Sequence, residues 1–184
     1  KKPVNIIPAG LTHNKEREAQ VDFSVTTFVT GQKALVRSDS GITDLAGLSG
    51  KKVLTIRGGT QEPNIRKAVP DVNVVTFDTS QQAFLALQQG KGVGYVDDEA
   101  ALMRVYAKLG PKQKDFVVLK QSISEEPLAF GLRKGEAGLK KVVDDTLREL
   151  EASGQAEKIF FKWYGPDTKS QFSTRSFKFE TDKI

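Results

Sequence analysis

Three short stretches carry side chains whose types and spacing could do chemistry. Ala9-Gly10-Leu11-Thr12-His13-Asn14-Lys15-Glu16-Arg17 runs from a strand end through a glycine and a hydroxyl to an arginine one turn into a following helix. A glycine lets backbone N–H groups approach an anion, and a guanidinium can grip a carboxylate through two parallel hydrogen bonds. The same spacing also describes an ordinary strand-to-helix turn, with Thr12 or Asn14 as cap and Arg17 in water. Arg57-Gly58-Gly59-Thr60-Gln61-Glu62 puts two glycines and a capping hydroxyl at a second such turn. There, at the carboxyl end of a parallel sheet, free N–H groups commonly meet ligands in open α/β folds, and Arg57 adds a cation suited to an anion. Tyr95-Val96-Asp97-Asp98-Glu99 sets acids at a third strand end. This acidic cluster could pair with an ammonium, or Asp97 could cap a helix whose dipole Asp98 and Glu99 favour. Together, a carboxylate cradle, a hydroxyl and an acid complement a zwitterionic amino acid.

Enzyme chemistry finds little to build on. The second stretch lacks the G-x-G-x-x-G spacing of a dinucleotide site, and no G-x-x-x-x-G-K-[ST] occurs anywhere. There is no cysteine, which excludes disulfides, zinc ribbons, thiol catalysis and iron–sulfur ligation. His13 is the single histidine and is expected to be a polar turn residue. Ser49-Gly50-Lys51-Lys52 matches S-x-x-K, but it enters a strand instead of opening a helix. Asp144-Asp145 and Glu125-Glu126 are expected on solvated faces. No catalytic residue, metal or cofactor is therefore expected. The 28 Lys and Arg against 23 Asp and Glu give a net charge of +5, but the basic residues are interleaved with acids. The most basic segment is the tail from Lys169 to Lys183, and nucleic acid is not the expected partner. No apolar run is long enough for a membrane helix, and Lys1-Lys2-Pro3-Val4-Asn5 lacks the features of a signal peptide, so a soluble chain that is mature, truncated or cytoplasmic is expected.

The elements that must position these residues follow from hydrophobic periodicity. Strands are expected at Val53–Ile56, Val72–Phe77, Val93–Val96 and Phe116–Leu119, with helices at Gln61–Val69, Ser80–Gln89 and Asp98–Leu109 between them. Such alternation predicts a mostly parallel sheet covered by helices, in a unit from Leu45 to Lys120. Before it come a strand at Val4–Ala9, a helix at Thr12–Ala19 and a strand at Phe28–Val36. After it come a strand at Pro127–Arg133 and helices at Ala137–Ala152 and Gln155–Tyr164, then an irregular tail from Gly165. Two strands, around Gln32–Val36 and Leu128–Arg133, would connect this unit to a discontinuous flanking lobe. That lobe holds two amphipathic helices but one short strand of its own, so it is expected to be incomplete, with apolar helix surface left exposed.

In order and spacing the residues resemble a known family. Gly10-Leu11-Thr12 followed by Arg17, Val21-Asp22-Phe23-Ser24, Gly41-Ile42 with Asp44-Leu45, and Gly59-Thr60-Gln61-Glu62 carry the likeness. So do Val96-Asp97-Asp98, Ser124-Glu125-Glu126-Pro127, Gly131-Leu132-Arg133-Lys134-Gly135 and Lys162-Trp163-Tyr164-Gly165. The set is similar to the periplasmic amino-acid-binding proteins of polar amino acid ABC transporters, solute-binding protein family 3, and closest in pattern to its glutamate/aspartate binders. The resemblance implies an α/β, type II bilobed periplasmic-binding-protein-like fold, with lobe 2 complete and the N-terminal part of lobe 1 missing. Residues 1–31 would be the remnant of lobe 1, 32–37 and 127–133 hinge strands, 38–126 lobe 2, 134–165 the C-terminal helices of lobe 1, and 166–184 a tail. It implies that Arg17 binds a ligand α-carboxylate, helped by Gly10, Thr12 and Thr60. Asp97, or Asp98 by a one-residue shift, would take the α-ammonium, and Arg57 would favour an acidic side chain. Gly59 departs from the family, which usually has Thr there. The implied function is to bind glutamate or aspartate between two lobes in the periplasm and deliver it to the transporter's membrane subunits, with two chains pairing as one way to compensate the short lobe. The same fold also serves as sensory domains and has given rise to dehydratases.

Overall fold

A computed structural model describes residues 4–168 and 172–179; the ends of the basic tail, 169–171 and 180–184, lie outside the described residues. The chain forms two compact units, one of residues 31–125 and one of residues 1–30 with 126–184.

The chain opens with β1 (Ile6–Thr12), the short α1 (Lys15–Glu18) and β2 (Val21–Phe23), and then the long β3 (Phe28–Arg37) runs into the second unit. There follow β4 (Lys52–Ile56), α2 (Gln61–Ala68), β5 (Asn73–Phe77), α3 (Ser80–Gln88), β6 (Gly94–Asp98), α4 (Glu99–Ala107) and β7 (Phe116–Val118). Finally β8 (Ser124–Arg133) returns to the first unit, ahead of α5 (Ala137–Ala152) and α6 (Gln155–Tyr164).

In the 31–125 unit, β4 lies between β5 and β6 and is parallel to both, with Leu54 opposite Tyr95. Here the sheet departs from expectation. β3 occupies the other edge of β6 and runs antiparallel to it, Gln32 opposite Asp98, and β7 pairs antiparallel with β3 instead of extending the parallel set. The long entering strand fills the edge that a fourth parallel strand would have used. Strand alternation then sorts the core onto two faces. Ala34, Val36, Val53 and Val96 pack with Ile65 of α2 and Val69 just after it, while Leu35, Leu54 and Tyr95 pack with Ala83 and Leu87 of α3 and Leu102 of α4. α3 starts where Thr79 accepts the Gln82 N–H at 3.2 Å, and Gly90, at φ +72°, follows its end.

In the other unit, β1 and β2 both pair antiparallel with β8, Thr12 opposite Leu128 and Phe23 opposite Gly131. β2 has only three residues, too short for an alternation to announce it. α5 and α6 keep their expected bounds, but their expected apolar face is only partly covered. Leu147, Ala156 and Phe160 are buried, whereas Val142, Ile159 and Trp163 are exposed. Phe160 anchors an aromatic cluster with Phe28, Tyr164, Phe172 and Phe177. Residues 172–179 of the tail thus pack although they are irregular. Arg175 is buried and forms a two-point ion pair with Glu151 of α5, at 2.8 and 2.6 Å, and its guanidinium lies over the Phe177 and Phe179 rings.

Two acid pairs expected in water are each half internal. Asp144 is buried, accepts the Val25 N–H at 2.8 Å and pairs with Lys140, while its neighbour Asp145 is exposed. Glu126 is likewise buried and Glu125 exposed. One-residue alternation along a strand, or one step around a helix, is enough to separate each pair.

Candidate functional site

In the first unit, β1 delivers Thr12 to a buried position at its carboxyl end, and α1 starts immediately after. The cap is Asn14, whose side chain accepts the Arg17 N–H at 2.9 Å, so Thr12 is not the cap. Nor is Arg17 simply solvated. It is half-buried and donates from Nη1 to the Thr12 carbonyl at 3.1 Å, which ties the guanidinium to the strand end. Gly10 lies at the exposed side of the irregularity in β1–β8 pairing between Ile7 and Leu11. His13 differs from expectation. It is buried, stacks on Phe23 with centroids 4.2 Å apart, and bonds to Glu18 through Nε2 at 2.8 Å. Its ring packs against Phe23 of β2, a placement the sequence pattern did not reveal.

In the second unit the two turns at the sheet's carboxyl end come together. Thr60 starts α2 without capping it. Its hydroxyl instead accepts from Gln32 Nε2 at 2.8 Å. The same Gln32 nitrogen lies 3.3 Å from Asp98 Oδ1, and its carbonyl accepts from Asn64 at 3.0 Å. Asn64 also donates to Ser124 at 3.1 Å. Gln61 Nε2 reaches both acids, 3.3 Å from an oxygen of Asp97 and 3.3 Å from one of Asp98. Fully buried Gln32, with Thr60, Gln61, Asn64 and Asp98, thus forms a connected polar cluster at the start of α2.

Adjacent on β6, Asp97 and Asp98 face opposite sides of the sheet. Asp97 continues the face of Tyr95 and is 3% exposed. It accepts from the Tyr95 hydroxyl, from Ser80 at 3.2 Å and from the Asp98 N–H at 2.8 Å. Burial first, and then the neighbouring Asp97 charge, push the Tyr95 phenol upward, so it stays protonated as a donor. Asp97 is thereby engaged within the fold. Asp98 continues the face of Val96, is partly exposed, and is the acid that shares a cluster with Thr60. Arg57 does not join them. It is largely exposed and pairs with Asp78 at 3.3 Å, on a surface recess with Phe77, Gln82 and Lys91.

Asn64 was not singled out by the sequence; Gln32 and Ser80 appeared there only as bounds of expected elements, and Gln61, Tyr95 and Ser124 only as neighbours in a motif. The two-residue step from Tyr95 to Asp97 was a usable signal; the partnership of Gln32 with Asp98 depends on the register of β3 against β6. Among the described residues no group of acids and histidine is arranged to hold a metal ion, and no helix is long and apolar enough to cross a membrane.

Residues 1–166 match the bacterial extracellular solute-binding proteins, family 3. The ABC transporter glutamine-binding protein GlnH of Bacillus subtilis is 31% identical over 165 residues, covering 89% of this chain and 59% of that protein. The L-glutamate/L-aspartate-binding protein of Pseudomonas aeruginosa is 35% identical over 165 residues, covering 88% of this chain and 54% of that one. The chain therefore spans somewhat over half the length of these curated relatives. Among solved structures, an ancestral arginine-binding protein bound to arginine superposes with a TM-score of 0.79 at 33% identity, covering 88% of this chain and 72% of that one. The fold implied by the sequence, α/β and type II periplasmic-binding-protein-like, is the fold observed. With the family pattern matched along residues 1–166, the chain belongs to the bacterial extracellular solute-binding proteins of family 3, among relatives that are polar amino-acid-binding proteins of ABC transporters.

Proposed function

We propose that this chain binds a free polar amino acid, with glutamate and aspartate as the preferred ligands, and acts in the periplasm as the solute-binding component of an ABC transporter. The observation that supports the proposal is that each unit, taken by itself, holds one of two chemically complementary groups. Arg17 is held at the end of β1 by the Thr12 carbonyl, and Asp98 is held beside Thr60 at the start of α2. Arg17 supplies two-point recognition of an α-carboxylate, aided by the backbone at Gly10 and by Thr12. Thr60 adds a hydroxyl and Asp98 supplies the counter-charge for an α-ammonium. Asp97 supports this arrangement from inside the fold. The Pseudomonas aeruginosa relative favours an acidic ligand; Arg57, paired with Asp78, adds no support to that choice.

A thermal-shift panel of the twenty amino acids, followed by calorimetry, tests the proposal. Glutamate or aspartate is expected to raise the melting temperature. A panel moved only by basic amino acids would overturn the ligand choice, and one moved by none would overturn amino-acid binding by this chain.

A further inference from the structure

Two glycines precede Thr60, for different physical reasons. Gly58 has φ +74°, a conformation that disfavours any other residue, and open space stands where a β-carbon would be. Gly59 is not in that region. A β-carbon there would lie 1.9 Å from Gln61 Oε1, 3.1 Å from Gln61 Cδ and 3.3 Å from Ile56 Cγ1. The space beside Gly59 is filled by the Gln61 carboxamide.

That carboxamide is in an unusual position for a residue at the start of a helix. Gln61 is 4% exposed, and its Oε1 is buried without a hydrogen-bond partner. An unpaired buried oxygen is a cost, so this rotamer is not chosen for the oxygen. It is chosen for the nitrogen, which lies 3.3 Å from a carboxylate oxygen of Asp97 and 3.3 Å from one of Asp98. A neutral amide group shared by two adjacent carboxylates offsets their repulsion without cancelling the charge that an ammonium would seek.

We propose that Gln61 is a positioning residue that sets Asp98 for the ligand ammonium by bridging it to Asp97, and that Gly59 is small in order to admit the Gln61 side chain. Residue 59 thereby acts on ligand binding without touching the ligand. The inference rests on the reading that Asp98 receives the ammonium. Any side chain at 59 must displace the end of the Gln61 side chain, which is flexible, so the chain still folds while the bridge is lost.

The test uses the whole chain as wild type, Gly59→Ala, Gln61→Ala and the double variant. Without ligand, the Gln61 side-chain NH2 resonances, identified by their loss in Gln61→Ala, are expected to be protected from solvent exchange in the wild type and unprotected in Gly59→Ala. With L-glutamate and L-glutamine as probes, each single variant is expected to bind about tenfold more weakly, as befits a lost hydrogen bond to a charged group, with the double variant no weaker than Gln61→Ala alone. Protected Gln61 resonances in Gly59→Ala overturn the spatial claim. Lost protection with unchanged affinities, or additive losses in the double variant, overturn the positioning role while amino-acid binding stands. If the wild type binds neither probe nor any amino acid of the panel, the positioning role falls together with that reading, and the resonances alone then decide the Gly59–Gln61 contact.

Discussion

The two neighbouring acids of β6 differ in what surrounds them, and that difference separates stability from binding. Asp97 accepts from Tyr95, Ser80, Gln61 and a backbone N–H, all inside the fold. Asp97→Asn sets an amide NH2 against groups that themselves donate. It is expected to cost about 1–3 kcal/mol in urea unfolding, the penalty for a mismatched buried donor. Asp98→Asn, partly exposed, is expected to stay within about 1 kcal/mol of wild type in the same assay yet to bind amino acid at least about tenfold more weakly. The reverse pattern would exchange their roles. Arg17→Lys keeps the charge but loses the planar two-point geometry. Calorimetry is expected to show affinity reduced by about 10- to 100-fold with little change in melting temperature.

At the scale of elements, the described part of the tail after α6 adds an ion pair to the aromatic packing of Phe172 and Phe177. Arg175, its side chain 4% exposed, holds Glu151 of α5, and the Phe179 N–H adds a third bond to the same carboxylate at 2.8 Å. The Arg175 hydrogen bond first, and the Phe179 N–H as well, hold the Glu151 carboxyl below its ordinary value. Its contribution to stability is thus fully present above the unfolded carboxyl's pKa and is lost as pH falls through the lower folded value. Arg175→Ala is expected to cost about 2–4 kcal/mol at neutral pH, because it leaves a mostly buried carboxylate unpaired, and to flatten the acid limb of the stability profile. Circular dichroism melts between pH 2 and 7 measure both. This contact was not legible in the sequence. α5 and α6 were, since ten to sixteen residues suffice for a helical period to be seen, and the α/β alternation of β4 to α4 was legible from short apolar runs set between glycine-containing turns. The tail has no period, and Glu151 and Arg175 are 24 residues apart. Gln32 escaped for a related reason. Its place beside Asp98 depends on antiparallel register, which turn residues and local spacing do not state.

For the whole molecule, the consequence of two compact units is that each has its own core. The 31–125 unit is built on Leu35, Leu54, Leu87 and Tyr95 on one face of its sheet and on Val36, Val53, Ile65 and Val96 on the other. The remaining unit relies on the Phe160 aromatic cluster and on Leu147. No residue of the first set belongs to the second, so damage to one core has a local route to relieve itself. Leu54→Ala empties a fully buried site and is expected to cost about 2–5 kcal/mol. At about 1.4 kcal/mol per tenfold, a loss near 3 kcal/mol speeds exchange of amides in β4, β6 and α3 by roughly a hundredfold. Amides of α5 and α6 are expected to stay within about twofold of wild type, because they open through a different cooperative unit. Phe160→Ala is expected to give the mirror result. Hydrogen exchange by mass spectrometry, segment by segment at constant pH, reads both variants. Equal acceleration in β4 and α5 by either substitution would show that β3 and β8, the strands that cross from one unit to the other, couple the two cores into a single folding unit.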